Sequence, residues 1–96
     1  MMKEIILHVT YRCLPGKAEE FVCALKESGL QSAVRAEDGC LQYDYLLSCE
    51  EPDAVVLLEK WRDAAALDAH GKQPHMKQCA VLKEGRVLQT VIERYE

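Results

Sequence analysis

The sequence contains no glycine-rich phosphate loop, no dinucleotide-binding fingerprint and no serine nucleophile elbow, so the activities that depend on these motifs have no support. A long hydrophobic run is also missing, because the apolar residues 5–7 are far too few for a signal peptide or a membrane span. There is no basic stripe, and 12 basic residues against 16 acidic ones give a net charge of −4. These absences predict no nucleic-acid partner and no membrane partner.

Cysteine pairs with a metal-binding or redox spacing are absent too. The cysteines are odd in number, irregularly spaced and without a CxxC motif: Cys13, Cys23, Cys40, Cys49 and Cys79. This pattern favours reduced thiols over a disulfide framework, and so predicts a cytoplasmic protein. The chain has 96 residues, of which 49% are hydrophobic, and is predicted to form one domain over residues 1–96.

Hydrophobic periodicity predicts the order strand, helix, strand, strand, helix, strand. The predicted strands cover residues 3–13, 40–48, 55–61 and 86–95, and the predicted helical regions cover residues 17–34, 64–69 and a segment from Pro74 to Gly85. This order is that of the ferredoxin-like βαββαβ sandwich, an α+β fold with a four-stranded antiparallel sheet and helices on one face. Gly29 is expected to weaken the first helix locally.

Several predicted strands carry apolar side chains on both faces, notably residues 55–58 and the pairs Val87-Leu88 and Val91-Ile92. The helices can cover one face of the sheet, so the other face needs a partner. The simplest partner is a second copy of the chain related by a two-fold axis. The sequence therefore predicts a homodimer, with strand 86–95 contributing to the interface.

Chemistry-bearing residues are concentrated in residues 55–79, which hold the single tryptophan and two of the three histidines. Glu59 and Trp61 are alternate residues of a predicted buried strand, so their side chains point to the same face. His70 ends a short predicted helix, and His75 lies in the first turn of the next one. The ring side chains at this kink are predicted to form a pocket wall.

Each of these residues also has a structural interpretation. A lone tryptophan such as Trp61 is more often core packing, and His70 could be a helix C-cap. As a neutral imidazole, His70 would instead be a proton acceptor near physiological pH. His70, His75 and Cys79 could form a three-ligand metal site, but no carboxylate or CxxC motif supports it, so no metal is predicted. A Cys79–His75 nucleophile pair lacks an orienting third group.

A second set of residues is predicted to bind a small substrate. Tyr43 and Tyr45 face the same way on their strand and are expected to form core, with a hydroxyl reaching the cavity. Met76 faces inward, and Glu59 either lines the pocket or balances a basic neighbour. His8 lies inside an apolar strand, a position more typical of a core residue than of a catalytic one. The candidate substrate-binding residues are therefore Tyr43, Tyr45, His8, Glu59 and Met76.

Three motifs resemble a known family: Glu59-x-Trp61, Leu67-x-x-His70 and Pro74-His75-Met76-Lys77. They resemble the antibiotic biosynthesis monooxygenase domain, especially its quinol monooxygenase branch. Two further stretches are similar to that family's turn into the second strand and its first strand-to-helix junction, namely Glu37-Asp38-Gly39-Cys40-Leu41-x-Tyr43 and Leu14-Pro15-Gly16-Lys17. The similarity spans nearly the whole chain.

The resemblance implies a dimeric ferredoxin-like fold of the α+β barrel type. It also implies, as is frequent in the family, oxygenation of quinol- or anthrone-like aromatics by dioxygen without a cofactor. In that scheme a base removes a phenolic proton, and the anion itself reduces dioxygen. His70 is the expected base, with His75 assisting and Trp61 as a pocket wall.

Two other functions remain open. Similar motifs occur in the isomerase that processes phosphorylated autoinducer-2, and the same histidines could transfer a proton next to its carbonyl while Lys72 and Lys77 meet the phosphate. A non-catalytic dimeric module that binds small molecules is the other possibility. Haem-degrading relatives carry a histidine on the second helix where this chain has Gln78-Cys79-Ala80, a departure that argues against haem.

Overall fold

The computed structural model describes residues 3–96, and its strands and helices follow the order that the periodicity predicts. The elements are β1 (Ile5–Cys13), α1 (Ala18–Glu27), α2 (Leu30–Arg35), β2 (Cys40–Leu47), β3 (Ala54–Trp61), α3 (Ala64–Gly71), α4 (Met76–Lys83) and β4 (Val87–Tyr95).

The four strands form one antiparallel sheet in the order β2-β3-β1-β4. β2 and β3 follow each other in the chain and pair directly. The two longer connections contain the helices, and they place β1 between β3 and β4. This topology confirms the predicted ferredoxin-like α+β fold.

The strand register shows which residues lie on each face of the sheet. Directly paired residues lie on the same face, and Glu59 pairs with both Leu7 and Tyr43. Glu59 and Tyr43 are buried, so this row faces the helices. His8 and Leu58 pair with each other, and each is next in sequence to a residue of that row. Because alternate residues of a strand point to opposite faces, His8 and Leu58 lie on the other face.

The core lies between the sheet and helices α1 and α2. Phe21 and Leu25 of α1, and Leu30 and Val34 of α2, are each at most 1% exposed. Within each helix the two residues are four apart, so they form one apolar stripe. The Phe21 ring meets the Tyr11 ring edge-on, with 5.2 Å between centroids. Packing of this stripe fixes the end of α2, which leads directly into the turn at Glu37.

The prediction of one continuous helix over residues 17–34 is wrong. The helix divides at Gly29, whose φ of 80° is left-handed, and a new helix begins at Leu30. Glycine adopts this conformation without the steric cost that a Cβ would impose. Hydrophobic spacing continues through the break, which is why periodicity did not reveal it.

The predicted alternation in the second strand fails at Leu41. The register shifts between Cys40 and Gln42, so Cys40 pairs with Trp61 and Leu41 is the extra residue of a bulge. Leu41 is consequently 50% exposed, whereas Tyr43 is buried as predicted.

The face of the sheet opposite the core is partly apolar. One cross-strand row on it contains Leu46, Val56, Thr10 and Val91. Leu46 is 47% exposed, and the buried core clusters on the other face. The homodimer predicted to cover this face stays a prediction. Within residues 3–96, no helix combines the length and the apolar character needed to cross a bilayer.

Candidate active site

A cleft of about 330 Å³ lies between the helix-facing side of the sheet and α4. Its floor comes from alternate residues of β1, Leu7, Val9 and Tyr11, together with Glu59 of β3. Residues spaced along one stripe of a helix form its α4 wall: Met76, Cys79, Ala80 and Lys83. This volume falls within the range of natural small-molecule sites.

His70 enters the cleft from the last turn of α3. That helix begins at Asp63, whose side chain accepts a 2.8 Å hydrogen bond from the Ala66 N–H and so fixes the start of the helix. His70 is 5% exposed and its ring lies against the Trp61 indole, 4.5 Å between centroids. The inward position predicted for His70 is thus what the structure has, and Trp61 is fully buried beside it.

Glu37 holds both histidines of the motif. His70 Nδ1 lies 3.0 Å from Glu37 Oε2 and 3.2 Å from Oε1, and His75 Nε2 lies 2.7 Å from the same Oε2. The side chains of Glu37 and His70 are each 7% exposed, and that of His75 is 24% exposed. A buried carboxylate with two imidazole partners is a charge-assisted network in a water-poor site.

Sequence reasoning missed Glu37 as a functional residue. In the sequence, Glu37-Asp38-Gly39 resembles only a turn into the second strand, and Glu37 is separated from His70 by 33 residues and from His75 by 38. A carboxylate within a family-like motif was the one available signal. Its partner could not be identified without the fold.

Glu59 forms the second polar element of the site. The Trp61 indole N–H donates a 3.0 Å hydrogen bond to Glu59 Oε1, and Glu59 lines the cleft. Burial raises the pKa of Glu59, against the opposing effects of the Trp61 hydrogen bond and of His70. His70 Nε2 is 3.8 Å from Glu59 Oε1, too far for a direct hydrogen bond. His70 Nε2 and the Glu59 carboxyl group, whose pKa is raised by burial, therefore face one end of the same cleft.

The family of this chain follows from its similarity to known proteins. Residues 4–81 match the family described as antibiotic biosynthesis monooxygenase. The chain belongs to this family. A protein of Bacillus subtilis named "Putative monooxygenase YcnE" is 36% identical over 73 residues, which are 76% of this chain and 75% of that protein.

Two further similarities cover more of the chain. The "Probable quinol monooxygenase YgiN" of Escherichia coli K12 is 29% identical over 86 residues, 81% of this chain and 83% of that protein. The crystal structure of PA3566 from Pseudomonas aeruginosa superposes with a TM-score of 0.84 at 30% identity, covering 99% of this chain and 95% of that one. The family recognised from the motifs is therefore confirmed.

The other candidate residues of this monooxygenase-family chain lie at different distances from the cleft. Tyr43 packs edge-on against both Tyr45 and His70, with centroid separations of 5.8 and 6.1 Å. Burial raises the pKa of both tyrosines, so both phenols stay neutral. The Tyr45 hydroxyl is buried and has no hydrogen-bond partner within residues 3–96. Met76 lines the cleft, and its role as a substrate contact stays a prediction.

His8 lies outside the cleft. Its pairing with Leu58 and Glu93 puts it on the opposite face of the sheet, where His8 Nδ1 is 3.6 Å from Glu93 Oε1. The structure therefore does not bring His8 together with the other predicted substrate contacts. Lys72, weighed as a phosphate ligand, pairs with Asp68 at 3.1 Å, and both side chains are more than 70% exposed.

The histidines also belong to a group that could hold a metal ion. The ligand atoms of Glu37, His70 and His75 all lie within 4.8 Å of one another. Two imidazoles and a carboxylate suit zinc or iron. Glu37 thus takes the place that the sequence pattern suggests for Cys79, which instead lines the cleft. Burial raises the pKa of the Cys79 thiol, which disfavours a thiolate nucleophile.

Proposed function

We propose that this chain is a monooxygenase that oxidises a small hydroxylated aromatic with dioxygen, without flavin or metal, and that His70 is its general base. The observation that carries this proposal is the pair of contacts between Glu37 and the Nδ1 atom of His70, at 3.0 and 3.2 Å. The family supports monooxygenation in general, and this geometry supports the role of the histidine.

The Glu37 contacts decide which nitrogen of His70 can accept a proton. An ionised carboxylate has no proton to donate, so His70 Nδ1 must carry the hydrogen of the bond to Glu37. In the neutral imidazole, Nε2 then has a free lone pair. Nε2 is the atom on the side of Glu59 and the cleft. A carboxylate that holds a histidine in one tautomer is the arrangement by which proton acceptors are oriented in many enzymes.

The proposed reaction needs no electrons from a cofactor. His70 Nε2 accepts the phenolic proton of a quinol, and the electron-rich anion transfers electrons to dioxygen. A carbon–oxygen bond then forms at the ring and the oxygen–oxygen bond breaks. One oxygen atom remains in the hydroxyquinone and the other leaves as water with two substrate hydrogens, so a quinol plus dioxygen balances a hydroxyquinone plus water.

The surrounding residues have separate roles in this proposal. Trp61 is fully buried behind His70 and holds that ring by packing against it, and Met76 of the cleft lining contacts the aromatic ring of the substrate. His75 Nε2 contacts Glu37 Oε2, the oxygen that is also nearest to His70, and keeps that carboxylate in place. The buried Tyr43, which packs against both His70 and Tyr45, limits access of water to this end of the site and so strengthens electrostatic contacts there.

An oxygen-electrode screen across quinols tests the proposal. His70→Asn should lower kcat on a confirmed substrate by about 10² to 10⁴, the usual contribution of a general base. His8→Asn is the matched control, because His8 lies on the opposite face of the sheet, and it should retain native turnover. Trp61→Phe removes the indole N–H that binds Glu59 and alters the packing against His70, but it removes no proton acceptor, so it should lower kcat less than His70→Asn does.

Four results would overturn the proposal. Full oxygen uptake by His70→Asn would mean that the base is another residue. Activity that disappears after dialysis against a chelator and returns with one metal would assign Glu37, His70 and His75 to metal binding. Binding of quinols without oxygen uptake would make the chain a binding module, and conversion of a phosphorylated ketone without oxygen uptake would make it an isomerase.

A further inference from the structure

Lys83 brings a positive charge to the cleft at a position that the mechanism does not use. It lies in the last turn of α4, is half-buried and lines the cleft. Its ammonium group is 5.4 Å from the centroid of the Tyr11 ring, within the range of a cation–π contact. Among residues 3–96, no carboxylate lies within ion-pair distance of Lys83, although most of the other basic side chains of the chain have such a partner.

Lys83 lies at the opposite end of the cleft from His70 and Glu59. Glu59 pairs with Leu7, and the ammonium of Lys83 lies over Tyr11, which is four residues further along β1. At about 3.3 Å per residue, these positions are roughly 13 Å apart along the strand. Met76 and Lys83 are seven residues apart on α4, which is about 10 Å along the helix axis.

The part of the cleft between these ends is apolar, and its lining there includes Val9, Ala80 and Ile92. Thr90 pairs with Tyr11 and lines the cleft, so it adds a hydroxyl donor at the Lys83 end. The cleft thus has a proton acceptor at one end, an apolar middle of about two ring widths, and a cation with a hydroxyl at the other end. Few polar groups placed around an apolar middle are what sets the orientation of a ligand.

We propose that Lys83 is an anion subsite, and that the substrate is a two-ring hydroxyaromatic acid whose carboxylate binds Lys83 and Thr90 while its hydroxyl faces His70. This inference rests on the cleft being the substrate site of the proposed function. A carboxylate is the anion chosen, because it accepts hydrogen bonds from both an ammonium and a hydroxyl and fits at the end of a planar ring system.

Calorimetric titration with 6-hydroxy-2-naphthoate, its methyl ester and 2-naphthol tests the subsite. The ester keeps the ring and the hydroxyl but has no charge. The native protein should bind the acid about tenfold more tightly than the ester, as a partly exposed ion pair would give. Lys83→Met should bring the two affinities together, and Lys83→Arg should keep the preference.

Lys77→Met is the matched control, since Lys77 is an exposed lysine of the same helix outside the cleft lining. It should keep the native preference for the acid. The preference should also shrink as salt is raised, because partly exposed ion pairs are screened. Thermal melts of the variants exclude loss of fold as the cause of any change.

Equal affinity of the native protein for acid and ester, or a preference that survives in Lys83→Met, would overturn the inference, as would no binding of the acid at all. The assay needs no turnover, so its outcome is separate from that of the proposed function. Anion-selective binding without oxygen uptake would keep the subsite and reject the monooxygenase. Oxygen uptake on neutral quinols without anion selectivity would keep the monooxygenase and reject the anion subsite.

Discussion

At the scale of single residues, the site depends on one carboxylate that contacts both histidines of the motif. Glu37 is nearly buried, and an unpaired charge at that depth would be costly. Contacts with the two imidazoles offset that cost, and the same contacts fix the orientation of both rings. A side chain in this position acts through His70, so we treat Glu37 as a positioning residue.

Glu37→Gln should lower kcat by about 10²-fold while changing KM little, because the amide no longer enforces one tautomer of His70. The kcat and KM values of the variant check this, with Asp38→Asn as control. Asp38 is the next residue, is 89% exposed on its side chain and pairs with Arg62. A rise in KM at unchanged kcat would mean that Glu37 shapes the pocket and does not orient the base.

Glu59 should make the folded protein less stable as the pH rises above 4.5. Burial raises its pKa above the ordinary value of 4.5, so the folded protein holds this proton more tightly than the unfolded chain does. The contribution of Glu59 to stability is therefore complete below pH 4.5 and is lost as the pH rises through the folded-state pKa. Glu59→Gln stays neutral, and its melting temperature should exceed that of the native protein at about pH 8 but not at about pH 4.

Asp38→Asn is a control for this measurement, because the native Asp38 should affect stability with the opposite pH dependence. The hydrogen bonds and charge of Arg62 lower the pKa of Asp38, so the native carboxylate contributes stability above its ordinary pKa and loses that contribution in acid. Asp38→Asn should thus be slightly destabilising at neutral pH and neutral in acid. If the difference in melting temperature between Glu59→Gln and the native protein stayed the same across the pH range, the raised pKa of Glu59 would be contradicted.

At the scale of elements, the site is held by a turn packed under a helix. Gly39 follows the Glu37 turn, and its carbonyl accepts a 2.8 Å hydrogen bond from the Arg62 N–H at the start of the connection to α3. A Cβ on Gly39 would overlap the Cβ of Ala66 in α3. The close approach of this turn to α3 is what brings Glu37 within reach of His70.

Gly39→Ala should therefore cost both stability and activity. The φ of 88° costs about 1 kcal/mol for alanine, and overlap with α3 adds about 1 to 3 kcal/mol. Gly29→Ala is the matched control, because Gly29 has a similar φ of 80° with open space around a Cβ. It should lose about 1 kcal/mol in chemical denaturation and keep its kcat. Equal losses of stability in the two variants would mean that α3 moves aside freely.

At the scale of the whole molecule, the exposed apolar side chains point to association. Leu88, Ile92 and Tyr95 of β4 are each more than half exposed, and β4 is an edge strand. The face of the sheet opposite the core adds the row through Leu46, Val56 and Val91. An edge strand beside a partly apolar face is a surface that proteins usually cover.

We expect light scattering at micromolar concentration to give about twice the chain mass of 10.9 kDa. Val91→Lys puts a charge on the face opposite the core and should shift the protein toward the monomer. Val81→Lys changes an equally apolar residue of α4 that is 62% exposed, and it should leave the mass unchanged. A native protein that scatters as a folded monomer would contradict the dimer.

The sequence by itself determined the element order, the fold and the family. Strand and helix periods are local properties, so the alternation around Tyr43 and the spacing of Phe21 and Leu25 were readable without a structure. The inward position of His70 followed from the kink at the end of α3, which is also local. Trp61 and Met76 were likewise found near the pocket through the motif that contains them.

Tertiary structure alone decided which groups meet. The contact between Glu37 and His70 joins residues 33 positions apart, and no period in the sequence encodes such a distance. Strand register put His8 on the face away from the cleft, because a shift of one residue exchanges the two faces of a strand. Packing of α4 beside α1 and α2 set Lys83 over Tyr11 at the far end of the cleft from His70. Contacts of this kind depend on how elements pack, and packing is a property of the whole chain.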